Sequence, residues 1–383
     1  METRKLYYED CHRKTFSARV VDCWENQKGW IVTLDATAFY PEGGGQACDT
    51  GALGDARVTD VRERDGQVEH LCDRPLPVGE TVEGAIDYDR RFSMMQQHTG
   101  EHILSGLIHQ RFGWHNVGFH MGADVVTVDF DGPIPVDALA ELEREANEAI
   151  WQNIPLRIWT PTPEELPHVV YRTKRALPWP VRIVQVPGYD SCACCGVHTE
   201  TTGEVGLLKI FSCVKFHDGV RIEMACGRLA LARLAAVYEQ NRQVSQAFSA
   251  QILETGAAAR KMNEALAAEK YRAAGLEKRL CREIKNSYVN RNTAIHFESQ
   301  LSPGGVRELA DQLAEVCRDF AAVFSGDDEQ GYSFCMVSRS GDLRPLGKAM
   351  TQSLHGRGGG KPECQQGSVK AARQEIEAFF AEK

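Results

Sequence analysis

From Gly227 onward the chain changes character: for about sixty residues it is built mainly of Ala, Leu, Glu, Gln, Lys and Arg, and it contains no proline. Residues of this kind favour one long helical stretch, too extended to fit inside the core of a small domain. The stretch therefore divides whatever precedes it from whatever follows. Before it lie short runs such as SARVVDCW and GWIVTLDA, separated by Gly, Pro and Asp, the pattern of a small β-barrel or sandwich. After it, from Thr293, strand-like and helical segments alternate. The expected class is α+β in four parts. Residues 1–88 form a β-barrel subdomain and 89–227 an α/β core. Residues 228–292 form a helical arm or coiled coil, and 293–383 a small α/β domain with a glycine-rich segment.

Within the long stretch, Leu234, Val237, Asn241, Val244 and Phe248 recur three and four apart, and Leu276, Leu280 and Ile284 resume the seam. Such spacing serves either an intermolecular coiled coil or a helical hairpin within one chain. Charge is uneven as well. The 383 residues carry 44 Lys+Arg against 53 Asp+Glu, a net of −9. From Ala257 to Asn292 there are nine Lys+Arg and four Glu, so this arm is +5 and the rest −14. An acidic body argues against coating nucleic acid, but a basic arm can contact phosphates. Arg172, Lys174 and Arg175 form a second basic group. No apolar run approaches the roughly 20 residues needed to span a bilayer, and the N-terminal stretch is not a signal peptide. The expectation is a cytoplasmic protein without membrane contact, whose thirteen cysteines are mostly reduced.

The chemistry concentrates in two places. The helical pattern Phe92–Phe112 places His98 and His102 four apart on one face, able to grip one metal ion. Some ninety residues later, DSCACCGVHTE offers Cys194 and His198 at short spacing. Three imidazoles and a thiolate make a tetrahedral set that suits one zinc ion. Cys192 and Cys195 are near enough in sequence to compete with Cys194, or to form a redox group with it. HTGEH also fits the H-x-x-E-H pattern of inverzincin peptidases, with Glu101 as base. That alternative leaves CACCGVH and two glycine-rich segments without a purpose. Of these segments, TAFYPEGGGQ holds Gly43, Gly44 and Gly45, a sharp turn or a place of close approach. The other, HGRGGGKPECQQGS, offers Arg357, Gly358, Gly359, Gly360 and Lys361 as a loop able to cradle phosphate or ribose.

FYPEGGGQ, HTGEHILSG, CCGVH and GRGGGKPECQQG, in this order and spacing, resemble the editing domain of alanyl-tRNA synthetase and the free-standing alanyl-tRNA editing proteins. The terminal motif is similar to the carboxy-terminal domain these synthetases share with DHH phosphoesterases. The resemblance spans Thr37 to about Gly367. It implies a hydrolase that edits in trans, deacylating mischarged Ser-tRNA(Ala) and also Gly-tRNA(Ala). The resemblance also implies a protein that cannot charge tRNA, without a class II aminoacylation domain.

The resemblance further implies that His98, His102, Cys194 and His198 bind zinc. Thr37 and Gln46 become candidates for recognising the serine hydroxyl, Gly43 to Gly45 for admitting substrate, and Glu101 for accepting a proton or simply for standing as a solvated charge. Residues 357–361 and the arm would hold tRNA, and the arm or terminal domain would make a homodimer. Where the family has CGGTH, this chain has Cys195 and Val197 in place of a glycine and a threonine. A non-catalytic tRNA-binding protein with structural zinc is the remaining alternative.

Overall fold

The computed structural model describes residues 2–122, 124–173 and 179–381. Lys174 and Arg175 of the second basic group lie outside the described residues. Two compact units are present, Met1–Gln243 and Val244–Lys383, divided within the helix Gly227–Ala247.

In the first unit, six strands close into a barrel in the order Thr15–Asn26, Gly29–Leu34, Gln67–Cys72, Ala56–Arg64, Gly51–Leu53 and Thr81–Ile86. The period-two pattern explains why. Phe16, Ala18 and Val20 are buried while Thr15, Ser17 and Arg19 between them are exposed, so one face of the strand fills the barrel. Val32, Leu34, Leu53, Val58, Val61 and Val68 join the same core.

The helix Tyr88–Phe112 follows. It starts four residues before the apolar pattern because the Asp87 side chain caps it, accepting from Arg90 N at 3.2 Å. Gly113 ends it in the left-handed conformation, φ 78°. Near its start, fully buried Arg91 pairs with fully buried Asp49 and donates to the Ala38 carbonyl at 2.6 Å. The barrel wall is thereby tied to the helix that carries the two histidines.

Two sheets enclose this helix. One is antiparallel, in the order Leu208–Phe216, Gly219–Cys226, Val126–Phe130 and Asn116–Met121. Its core, with Ile103, Leu104, Ile108, Val128 and Ile222, also takes Leu142, Ala146 and Ile150 from the helix Val136–Trp151. The Leu208–Cys226 hairpin has no counterpart in the sequence reading. Most of its first strand is half-buried or exposed, so alternation there is faint. The other sheet joins Arg157–Trp159, Ile183–Val186 and Asp190–Ala193. It meets the helix at Gly106, where a Cβ would lie 2.3 Å from the Tyr189 carbonyl oxygen.

In the second unit a five-stranded sheet runs Thr293–Phe297, Phe320–Asp327, Gly331–Ser338, Cys364–Val369 and Arg357–Lys361. Its first pair is parallel and the rest antiparallel. The helix Pro303–Ala314, capped by Ser302, covers one face. Helices Arg344–Ser353 and Arg373–Ala381 pack against residues of the other. The glycine-rich segment expected as a loop is instead the sheet's edge strand, because Arg357 to Lys361 pair in register with Ser368 to Cys364. The 32-residue helix Thr255–Asn286 buries only Cys281.

Candidate metal centre

His98 and His102 leave the same face of the helix Tyr88–Phe112, as their spacing requires, and both are buried. The CACCGVH segment leaves the strand Asp190–Ala193 and turns over them. Gly196 permits the approach: a Cβ there would stand 2.1 Å from His98 Cε1. As a result His98, His102, Cys194 and His198 each bring one ligand atom within 4.8 Å of all the others. Ring centroids are 4.4 Å apart for His98 and His198 and 4.7 Å for His102 and His198.

Each imidazole is oriented from behind. His98 Nδ1 donates to Gln46 Oε1 at 3.0 Å, His102 Nδ1 to Asp190 Oδ2 at 3.0 Å, and His198 Nδ1 to the Gly196 carbonyl at 3.0 Å. With every Nδ1 facing an acceptor, a proton belongs there and each Nε2 is the atom left to meet an ion. His198 Nε2 is buried with no hydrogen-bond partner, the arrangement of a ligand atom. Cys194 Sγ lies 3.3 Å from His98 Nε2.

Burial would raise the Cys194 thiol, but the surrounding imidazoles, His98 foremost, outweigh it and hold it well below its ordinary value. Burial likewise opposes charge on His102, yet its hydrogen bonds to Asp190 and Cys194 prevail and hold it well above its ordinary value, so an ion would have to displace a proton there. Burial, with His98, pushes His198 down to about 3, so it stays neutral. Asp190 is itself forked by Arg172, with Nε at 2.7 Å and Nη2 at 2.9 Å. Burial opposes the charge on Asp190, yet bonds from His102 and Arg172 prevail and keep its carboxyl below the usual range. The donor set suits a zinc-like ion: three imidazoles and a thiol lowered toward thiolate, with oriented partners behind the rings.

The remaining candidates fall as follows. Gln46 Oε1 also accepts from Val197 N at 3.2 Å, which fixes the amide and leaves its buried Nε2 without a partner. Glu101 is not a solvated charge. It is buried, accepts from Ser105 Oγ and Asn116 Nδ2, and brings Oε2 to 4.0 Å from His102 Nε2. Thr37 is buried in the barrel wall. Because His70 Nδ1 donates to Val32 O, the Thr37 hydroxyl gives its proton to His70 Nε2 at 2.8 Å, and it accepts from Phe39 N.

Gly43 and Gln46 close a tight turn through bonds of 3.1 and 3.0 Å. Gly44 and Gly45 supply left-handed φ of 61° and 83° within it. Cys192 belongs to a second cluster with His102 and Asp190, while Cys195 is exposed. Arg172, expected in a second basic group, is engaged by Asp190. Arg357 to Lys361 are all exposed. Asp190 and Arg172 were missed as parts of the site, and no spacing rule marks them. The peptidase alternative is not favoured, since a thiol and a third imidazole join the two helix histidines where that class uses a distant glutamate.

Family models match three parts of this chain. Residues 2–90 match tRNA synthetases class II (A), 181–223 the threonyl and alanyl tRNA synthetase second additional domain, and 290–382 the DHHA1 domain. The chain is 32% identical to the alanine–tRNA ligase of Pyrococcus abyssi over 99% of its own length and 43% of the ligase. It is 35% identical to that of Ignicoccus hospitalis over 64% of its own length and 28% of the ligase. It is 30% identical to the alanyl-tRNA editing protein AlaX-L of Pyrococcus horikoshii over 60% of its own length and 59% of that protein. The chain is thus a relative of the alanine–tRNA ligases over nearly its whole length and of an alanyl-tRNA editing protein over most of it. It spans less than half of these two ligases.

Proposed function

We propose that this chain is an aminoacyl-tRNA deacylase that hydrolyses the ester of tRNA(Ala) mischarged with serine, and secondarily with glycine. One observation carries the reading: three imidazoles oriented through Nδ1 meet a thiol lowered toward thiolate, in a chain related to an alanyl-tRNA editing protein. The physical need is plain, because an alanine pocket discriminates poorly against an added hydroxyl or a missing methyl and a second, hydrolytic site must correct the error.

His98, His102, Cys194 and His198 would hold zinc, which supplies Lewis acidity and orients the substrate. Gln46 Nε2, a buried donor with nothing to bond, takes the serine hydroxyl. Alanine and glycine would both leave it unpaired, so this contact favours serine over alanine and gives glycine no such advantage. Thr37 shapes the wall through His70. Glu101, fixed through Oε1 by Ser105 and Asn116, accepts the proton of the attacking water at Oε2. The turn Gly43–Gly45 lets the ester approach closely. The exposed edge strand Arg357–Lys361 and the basic helix hold tRNA phosphates, and the same helix mediates a homodimer.

The test is deacylation of Ser-, Gly- and Ala-tRNA(Ala) with metal content measured on the same preparation. Ser-tRNA(Ala) should be hydrolysed, Ala-tRNA(Ala) spared, and His102→Ala should lose both metal and turnover. A four-donor set also suits a purely structural ion. Metal bound and tRNA bound without turnover would establish that second reading instead.

A further inference from the structure

A second group of metal-ligating side chains lies outside the candidate centre, and the chemistry proposed above uses none of it. Cys11 and His12 adjoin in the loop that follows the short turn Leu6–Glu9, while Glu200 and Glu204 lie downstream of His198. Cys11, His12 and Glu200 each bring one ligand atom within 4.8 Å of the other two. Glu204 joins them through the imidazole, with Oε2 at 3.1 Å from His12 Nε2.

His12 is oriented as a ligand is. Its Nδ1 lies 2.6 Å from the Tyr88 hydroxyl, and Tyr88 is itself held by stacking on Phe92, centroids 5.9 Å apart, and by Lys14 Nζ at 4.4 Å from its ring centre. That leaves Nε2 facing Glu204. The approach is close, yet Glu204 Oε2 is buried without a hydrogen-bond partner, so no well-directed N–H closes the pair. An imidazole nitrogen and a carboxylate oxygen that each stand about 2.0–2.1 Å from one tetrahedral ion are themselves about 3.3 Å apart. The pair has nearly that separation.

Negative charge gathers here without an answering cation. Burial, then Glu200, Glu204 and Asp10, push the Cys11 thiol up to about 12. The neighbouring cations are committed elsewhere: Arg91, which reaches the Cys11 carbonyl at 3.3 Å, is paired with Asp49, and Arg13 stands 3.8 Å from Asp10. Glu200 is exposed and makes no ion pair among the described residues. A divalent ion would displace the thiol proton and balance both carboxylates.

We propose that Cys11, His12, Glu200 and Glu204 bind a second divalent cation of the zinc class, separate from the ion that the candidate centre would hold. One thiolate, one imidazole and two carboxylates suit zinc, whereas calcium and magnesium take oxygen donors. The place of this ion in the fold makes it a staple. It joins the N-terminal loop to the stretch that leaves the CCGVH turn, the same two segments that Tyr8 already links by donating to the Cys195 carbonyl at 2.6 Å. The assignment does not depend on the editing reading.

The probe is zinc alone, with cobalt as its spectroscopic substitute, applied to the full chain after chelator stripping. Wild type should retain two zinc ions per chain, and the double variant Cys11→Ser with His12→Ala should retain one. In the cobalt form, Cys11→Ser should lose about half of the thiolate-to-metal charge-transfer absorbance, since Cys194 supplies the other half. If the double variant fails to fold, Glu200→Gln combined with Glu204→Gln decides. It keeps shape and both thiols, and in chelator competition should weaken one ion by at least about tenfold while leaving the other unchanged. His98→Ala should leave the second ion in place. One ion in wild type, lost in Cys11→Ser and kept in His98→Ala, would retain this site and remove the candidate centre. A single ion that Cys11→Ser keeps with its full cobalt absorbance would overturn the proposal. So would a double glutamine variant that weakens both ions together or neither.

Discussion

Asp190 shows how much of the candidate metal centre resides outside its four candidate ligands. Its carboxylate, 8% exposed as a residue, joins His102 Nδ1 to the Arg172 fork and so fixes both the ring's orientation and its tautomer. Asp190→Asn keeps the shape but weakens the charge that holds the His102 proton on Nδ1. It should weaken zinc binding by about 10–100-fold, read by chelator competition. Unchanged affinity would mean that Asp190 serves only Arg172.

His70 provides a second test at this scale, independent of the metal. Burial pushes its pKa down from 6.5 to about 4, so the folded barrel holds it neutral. A depressed value means that its contribution is whole above pH 6.5 and is lost as pH falls toward about 4. The effect is at most about 3 kcal/mol. Denaturant midpoints should therefore fall between pH 7 and pH 4.5 more steeply in wild type than in His70→Gln. Spacing alone made the four ligand candidates legible, because i,i+4 histidines and a Cys-x-x-x-His segment carry their own geometry. Asp190 and Arg172 were not legible. Their role depends on a sheet meeting a helix, a contact between residues some ninety positions apart.

At the scale of elements, the helix Tyr88–Phe112 was readable from its apolar recurrence and the barrel from its alternation. The hairpin Leu208–Cys226 was not, because its outer strand is only half covered and its burial follows no strict period. The edge strand Arg357–Lys361 was misread because three glycines lower strand propensity while pairing with Cys364–Val369 restores it. Pairing partners decide such cases, and they are remote information.

Glycines inside the helices make the same point experimentally. By propensity alone, Gly→Ala in a helix gains up to about 1 kcal/mol. Gly275, where an added Cβ meets nothing within 4 Å, should behave so, with a raised melting temperature in Gly275→Ala. At Gly106 the methyl would press on the Tyr189 carbonyl at 2.3 Å. Gly106→Ala should instead cost about 1–3 kcal/mol and, by displacing the neighbouring Asp190, also weaken metal binding. A stabilised Gly106→Ala with wild-type metal affinity would show that the sheet yields freely at this contact.

For the whole molecule, the decisive feature is again the long helix. Thirty-two residues bury one side chain, yet Met262, Leu266, Leu276 and Leu280 are 52%, 51%, 56% and 41% exposed at heptad-compatible positions. Covering such a stripe yields about 25 cal/mol per Å² of apolar surface, which gives two copies of the chain a reason to associate. The positive charge around the stripe opposes close pairing at low salt but supplies the phosphate contacts proposed for tRNA. The two roles therefore respond oppositely to ionic strength.

Sedimentation equilibrium should find a dimer that tightens as salt rises from 50 to about 300 mM, while tRNA binding weakens steeply over the same range. Leu266→Glu combined with Leu276→Glu should yield a monomer. It should leave hydrolysis of a minimal substrate, seryl-adenosine, unchanged, since the candidate site lies wholly within Met1–Gln243. A wild type that remains monomeric at every salt concentration would remove the dimer. A double variant that stops hydrolysing seryl-adenosine would show that the helix contributes to the site itself.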